Sequence, residues 1–173
     1  AGFPDRGRGA DFDQPAIGNF ELAGSAERIG IAADGELAGV CPNRIGAGDE
    51  VICTPRSYQA SASSIAMAGA RPVFADVDLN SQNITPATVA PLITSKTRAI
   101  LCVHLAGWPC DMPGFVDLAK ANGLKLIEDC AQAHGAAING KSVGSFGDIG
   151  AWSFCQDKII TTGGEGGMVT LDD

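Results

Sequence analysis

Polar and ionisable side chains stand where three of the short apolar runs in this sequence end. They are Asp129 and Gln132 at and after LKLIED, Ser153 and Lys158 at and after AWSF, and Ser57, Tyr58 and Ser61 after GDEVICTP. Ligands of open α/β sheets bind outside the carboxyl ends of the strands, so these residues are candidates for one site. Singly, each has an ordinary explanation, since such an Asp is often a helix cap and a lone Lys is usually a surface cation. Their joint order favours a functional interpretation.

The elements that would position them alternate regularly from about residue 46. Predicted strands cover 51–54, 71–77, 98–104, 124–128, 149–154 and 167–171, and predicted helices cover 57–68, 85–93 and 113–122. This alternation predicts an α/β fold with a mostly parallel sheet. The near-continuous apolar run at 98–104 predicts a strand covered on both faces. Pro86 suits the first position of a helix, Pro91 keeps that helix short, and Gly123 is a predicted C-cap.

The first 45 residues lack such a pattern and are treated as a separate, poorly patterned segment, with 46–173 as a partial domain. Residues 22–38 have the composition of a helix, but Gly24, Gly30 and Gly35 interrupt it. At the other end, the chain stops at MVTLDD, just past a predicted strand. We therefore expect the α/β domain to be truncated.

Composition bounds the partners and the location. The 173-residue chain has 12 Lys and Arg against 20 Asp and Glu, so its formal net charge is −8. An acidic protein is a poor partner for a phosphate backbone or an anionic membrane. No apolar run approaches the roughly 18–20 residues of a spanning helix, and the first residues lack the apolar region of a secretory signal. We expect a cytoplasmic protein with no nucleic-acid or membrane partner.

The cysteines are predicted to be reduced core residues. The six lie at 41, 53, 102, 110, 130 and 155, and no two form a CxxC pair. Structural zinc sites usually show paired ligands at short spacing, and disulfide frameworks are typical of smaller secreted domains. Cys102, His104 and Cys110 come nearest to a metal cluster, but we expect no metal site.

Seven motifs together resemble one known family. They are GDEVI, PRSYQAS, GARPVFADVD, VHLAGWPCDM, IEDCAQAHGA, GSFGDIGAWSF and DKIITTGGEGG, and they follow one another as in the DegT/DnrJ/EryC1/StrS family of pyridoxal-phosphate-dependent sugar aminotransferases. The resemblance covers about residues 46–173. It implies the large domain of the aspartate-aminotransferase-like (type I) fold, a three-layer αβα arrangement. No GxxxxGK[ST] is present and no GxGxxG stands at a first strand–helix turn, so nucleotide-triphosphate and dinucleotide binding have little support.

The resemblance also implies roles for three ionisable or amide side chains. Lys158 matches the lysine that forms the Schiff base with pyridoxal phosphate, for which its amine must be uncharged. Asp129 matches the carboxylate beside the pyridine ring nitrogen, which it keeps protonated. Gln132 matches the amide that donates a hydrogen bond to the phenolic oxygen of the ring.

The resemblance implies roles for four further residues, in less detail. Ser153 matches a phosphate-binding serine and Tyr58 the aromatic that stacks on the pyridine ring. His104 is placed near the substrate pocket and His134 in a structural turn, with a satisfied core histidine as the alternative for both. The family's SGT-like phosphate-binding turn has no clear counterpart, because the corresponding stretch reads IGIAADGELAGV.

By resemblance, the protein transaminates a nucleotide-linked keto sugar, with glutamate as the amino donor. The product would be an amino sugar for a polysaccharide or a glycosylated metabolite, and the enzyme would be a homodimer with shared active sites. Two alternatives stay open: a sugar dehydratase of the same family, which carries His where Lys158 stands, and a catalytically silent fragment. An α/β oxidoreductase would need the glycine fingerprint that this sequence lacks.

Overall fold

The computed structural model describes residues 45–171 and the backbone of two short paired strands, β1 (Gly18–Phe20) and β2 (Ile29–Ile31). Within residues 22–38, the part that is described is therefore a strand and not a helix. Two β-branched Ile residues flank Gly30 there, and β-branched residues favour extended backbone. Cys41 and the IGIAADGELAGV stretch beyond Ile31 lie outside the described residues, as do residues 172–173.

The predicted strands and helices are all present, with ends shifted by up to four residues. The elements are β3 (Glu50–Cys53), α1 (Ala60–Met67), β4 (Arg71–Phe74), α2 (Pro86–Val89), β5 (Thr97–Val103), α3 (Met112–Asn122), β6 (Lys125–Asp129), β7 (Ala137–Ile138), β8 (Lys141–Ser142), β9 (Ile149–Ser153) and β10 (Gly167–Leu171). Gly123 caps α3 in the left-handed conformation, at φ 64°.

Six of these strands form one sheet in the order β10-β9-β6-β5-β3-β4. Neighbouring strands run parallel except for β10, which pairs antiparallel with β9. This confirms the mostly parallel α/β sheet. Because parallel strands share one carboxyl edge, the ends of β3, β5, β6 and β9 lie together.

Helices cover both faces of the sheet. Along β5, Leu101 and Val103 point into one core, which α1 closes with Ile65. Ile100 and Cys102 point into the opposite core, which α2 and α3 close. The alternation follows the two-residue period of a strand, and it confirms the three-layer arrangement and the doubly covered strand at 98–104.

Two predicted helices differ in extent from the observed ones. The helix predicted over 57–68 begins at Ala60, and the Ser57 hydroxyl bonds the Ser61 hydroxyl, at 2.8 Å. The helix predicted over 85–93 splits into α2 and a 3₁₀ turn, Ala90–Leu92. Pro91 lies in that turn, since its ring removes a helical N–H donor.

The hairpin of β7 and β8 is absent from the predicted elements. Its turn consists of Asn139 and Gly140, with φ of 51° and 81°. Two left-handed residues in a row match a type I′ turn, for which Asn-Gly is the favoured pair. The sequence therefore carries a signal for this hairpin.

Four of the five described cysteines agree with the core prediction. All five are free, and Cys53, Cys102, Cys110 and Cys130 are buried, whereas Cys155 is partly exposed. Within the described part of the chain, no helix is both long enough and apolar enough to cross a bilayer.

Truncation of a buried core side chain should destabilise this domain far more than truncation of an exposed one. Phe115→Ala removes a fully buried ring under α3 and should lower the free energy of unfolding by about 3–5 kcal/mol. Phe74, on the edge strand β4, is 52% exposed, so Phe74→Ala should cost about 1 kcal/mol or less. Urea unfolding of both variants checks this, and equal losses would contradict the core assignment.

Candidate active site

A small cavity opens at the carboxyl edge of the sheet, beside the N-terminus of α1. Its polar lining consists of Ser57, Tyr58, Ser61, Asp129, Gln132 and Lys158. The fold thus brings together four of the residues predicted for the site, from three separate parts of the sequence.

Asp129, the last residue of β6, presents a carboxylate that the protein only partly satisfies. Its Oδ1 accepts a hydrogen bond from the N–H of Ala131 at 3.0 Å, and its Oδ2 has a long contact, 3.5 Å, from the Ser61 hydroxyl. Burial raises the pKa of Asp129, although the Ala131 N–H and the nearby Lys158 charge act in the opposite direction. A cationic ligand group in the cavity would stabilise the ionised carboxylate and offset its desolvation.

Gln132 is oriented by the backbone that follows β5. The N–H of Ala106 donates to Gln132 Oε1 at 2.7 Å. With its oxygen held in this way, the amide keeps its Nε2 hydrogens available for a ligand.

Lys158 and Ser153 come from β9 and the turn that follows it. Lys158 lines the cavity, and its backbone N–H donates to the Cys155 carbonyl at 3.0 Å. Ser153 is fully buried at the end of β9, two residues beyond Ala151, which lines the cavity. Residues two apart share one face of a strand, so Ser153 lies on the cavity side of the sheet.

Tyr58 forms an outer wall of the cavity. Its side chain is 58% exposed, and its carbonyl accepts the N–H of Ser61 at the entry to α1. An exposed ring at a cavity wall can stack on a flat ligand.

His104 lies elsewhere, in the protein interior. It is fully buried, and its imidazole is not part of the cavity lining. Its Nδ1 accepts the N–H of Cys110 at 3.1 Å, and its Nε2 lies 3.0 Å from Glu128 Oε2. Because a backbone N–H can only donate, Nδ1 carries no proton and Nε2–H donates to the carboxylate. This geometry favours the core-histidine alternative over a place beside the substrate.

Glu128 is the residue of this region that the sequence interpretation missed. Its two carboxylate oxygens also accept N–H groups from Gly144 at 2.9 Å, Phe146 at 2.7 Å and Gly147 at 2.8 Å. Burial alone would raise the pKa of Glu128, but the bonds from His104 and the backbone outweigh it and lower the pKa. A charged residue inside the apolar run LKLIED was the available signal, because buried charges are nearly always paired.

These bonds also bear on metal binding. Donor atoms of His104, Glu128 and Cys130 lie within 4.8 Å of one another. The carboxylate of Glu128 already accepts four hydrogen bonds, and both imidazole nitrogens of His104 are engaged. We therefore interpret this cluster as a hydrogen-bonded structural contact between neighbouring parts of the fold.

His134 packs below the turn after β6. Its ring lies 5.4 Å from the ring of Trp152 and 5.6 Å from that of Phe154, between ring centroids. Neither ring nitrogen has a hydrogen-bond partner among the described residues. In this structure His134 contributes packing.

Comparison with known proteins places the chain among relatives. The model of the DegT/DnrJ/EryC1/StrS aminotransferase family matches residues 34–173. The chain belongs to this family. The match begins upstream of residue 46, so the end of the poorly patterned segment is part of it.

Three similar proteins are named as aminotransferases. The chain is 47% identical over 154 residues to UDP-N-acetyl-3-dehydro-alpha-D-glucosamine 3-aminotransferase from Acidithiobacillus ferrooxidans, covering 88% of this chain and 42% of that protein. The solved aminotransferase from Psychrobacter cryohalolentis is 66% identical with a TM-score of 0.73, over 75% of this chain and 33% of that one. The sugar aminotransferase Spr1654 from Streptococcus pneumoniae, solved in its PLP-form, is 32% identical with a TM-score of 0.69, over 75% of this chain and 37% of that one.

The chain therefore spans about a third to two fifths of the length of these proteins. Its sheet and helices correspond to part of the α/β large domain of these aminotransferases.

Glu128→Gln should destabilise the domain. One carboxylate oxygen would become an NH₂ group, whose hydrogens would face the N–H donors that the oxygen accepts in the parent protein. We expect a loss of about 3 kcal/mol at pH 7. Since the folded pKa of Glu128 is lowered, its contribution is present above the unfolded pKa of about 4.3 and is lost as pH falls through the folded value. Urea unfolding against pH measures this, with exposed Glu165→Gln as the control; equal small effects would contradict the assignment.

Asp129→Asn should have the opposite effect on stability. The folded pKa of Asp129 is raised, so ionisation disfavours the fold as pH rises above the unfolded value of about 3.9. The cofactor-free Asn variant should therefore be more stable than the parent at pH 7, and the difference should shrink towards pH 3. Exposed Asp76→Asn is the matched control, and a less stable Asp129→Asn at neutral pH would contradict the burial argument.

Proposed function

We propose that this chain carries the pyridoxal-phosphate half-site of an aminotransferase that acts on a nucleotide-linked keto sugar. The observation that carries the proposal is the convergence of Lys158, Asp129 and Gln132 on one cavity. Membership of an aminotransferase family supports the reaction class. The substrate class is supported by the A. ferrooxidans relative, whose name specifies a UDP-linked dehydro sugar.

The donor set fits this cofactor. It combines a lysine amine, an underpaired carboxylate, an amide with free N–H hydrogens and an exposed aromatic ring around one cavity. When bound, pyridoxal phosphate supplies an electron sink for carbon–nitrogen chemistry. The protein must then hold, orient and polarise it.

Lys158 is the proposed catalytic residue. Its Nζ would hold the cofactor covalently and, when released, would take up and return the proton of the reacting carbon. The carboxylate of Asp129 would keep the pyridine nitrogen protonated, and the resulting ion pair would offset the desolvation of the carboxylate.

The remaining residues bind and orient. Gln132 Nε2 would donate to the phenolic oxygen of the ring, and the Tyr58 ring would stack on its face. We propose that Ser153, beyond Ala151 on the same strand, would bind the phosphate group.

The wider context follows from family resemblance. We propose glutamate as the amino donor, a homodimer with shared active sites, and a cytoplasmic role in making amino sugars for a polysaccharide or a glycosylated metabolite. The dehydratase alternative is disfavoured, because Lys158 stands where those relatives carry His. The silent-fragment alternative is an outcome of the following experiment.

Borohydride trapping tests the proposal directly. The purified chain is incubated with pyridoxal phosphate, reduced, digested and mapped by mass spectrometry. We expect one stoichiometric adduct, on Lys158, because its amine lies in the cavity with the carboxylate and the amide. Lys158→Ala should abolish it.

Lys120→Ala is the matched control, since Lys120 lies exposed in the last turn of α3 and should leave labelling unchanged. Labelling spread over several surface lysines, or none at Lys158, would contradict the proposal and favour a chain without catalytic function.

A further inference from the structure

The segment between β5 and α3, residues 104–110, meets the candidate cofactor site through Ala106. The N–H of Ala106 donates to Gln132 Oε1 at 2.7 Å. Ala106 has a φ of 54°, in the left-handed region that a residue with a Cβ rarely adopts. Such strain persists only where the surroundings impose it, and it concentrates at functional sites.

The next residue brings the segment closer still. Gly107 has a φ of 79°, and a Cβ at this position would lie 3.1 Å from the carbonyl oxygen of Gln132. Segment 104–110 therefore packs directly on the backbone as well as on the side chain of Gln132.

His104 anchors this segment from inside the protein. Its backbone N–H donates to the Asp129 carbonyl at 3.1 Å, and its Nδ1 accepts the N–H of Cys110 at 3.1 Å. Its Nε2–H donates to Glu128, at 3.0 Å. One buried side chain thus joins the start of the segment to its far end and to β6.

This arrangement decides which way the Gln132 amide faces. An amide turned by half a rotation would set its NH₂ group against the Ala106 N–H, donor against donor. With Oε1 held, the hydrogens of Nε2 are the part left for a ligand oxygen.

We propose that His104 is a positioning residue for the cofactor: by fixing segment 104–110 it places the Ala106 N–H so that Gln132 presents Nε2 to the phenolic oxygen. The inference rests on the proposed role of Gln132 at the cofactor. It gives His104 a task at the site without contact with the substrate, and it explains why a strained Ala106 is retained there.

A double-mutant cycle tests this. His104→Gln keeps a donor towards Glu128 but loses the acceptor for the Cys110 N–H, and it is combined with Gln132→Ala. Gln132→Ala should weaken binding of pyridoxal phosphate about tenfold, the loss expected for one hydrogen bond to a charged group. His104→Gln should weaken it in the parent chain but add nothing to Gln132→Ala, because both act on the same contact. Multiplicative losses would overturn the proposal.

A second cycle, with Tyr58→Ala, is the matched control. Tyr58 lines the same cavity from the N-terminus of α1, so its loss and that of His104 should multiply. Coupling of His104 with Tyr58 as strong as with Gln132 would indicate a general loosening of the site and overturn the specific role.

Amide hydrogen exchange in the cofactor-free chain separates this inference from the proposed function. The Ala106 N–H should be protected in the parent chain and exchange faster in both Gln132→Ala and His104→Gln. Unchanged protection in His104→Gln would overturn the positioning role even if the cofactor binds. Absence of cofactor binding by the parent chain would instead contradict the proposed function, and exchange at Ala106 would still report on segment 104–110.

If His104→Gln does not fold, His104→Asn replaces it with the same expected outcomes. The Asn variant keeps the acceptor for the Cys110 N–H and loses the donor to Glu128.

Discussion

Four hydrogen bonds converge on the buried carboxylate of Glu128 and join three parts of the chain that form the site. One donor is the imidazole of His104, directly after β5. The other three are backbone N–H groups within residues 144–147, in the segment that precedes β9. Glu128 itself lies in β6, between them in the sheet. Because a buried carboxylate without its donors is strongly unfavourable, these parts must take up their native positions together.

The two carboxylates at the end of β6, Glu128 and Asp129, have different roles. Successive residues of a strand face opposite sides, so Glu128 points into the protein and Asp129 points into the cavity. The first is satisfied by the protein and its pKa is lowered, whereas the second is only partly satisfied and its pKa is raised. Opposite shifts in adjacent residues separate the group that holds the fold from the group that is left for a ligand.

The sequence predicts the sheet well, because apolar runs of strand length alternate with helical stretches and their carboxyl ends must meet at one edge. That topology is enough to bring Asp129, Gln132 and Lys158 together. The contact of Ala106 with Gln132 was not predictable, because it depends on the left-handed turn after β5 and on a histidine bound across two strands. Family resemblance supplied the proposed chemical roles, which spacing alone does not contain.

We propose that this chain alone assembles a site whose half-buried Asp129 keeps the cofactor's ring nitrogen protonated. Nitrogen NMR of pyridoxal phosphate labelled with ¹⁵N in the ring, bound to the chain at pH 7, measures this directly. We expect the chemical shift of a protonated pyridinium in the parent chain and of an unprotonated ring in Asp129→Asn. An unprotonated ring nitrogen in the parent chain, or the same shift in both proteins, would contradict it.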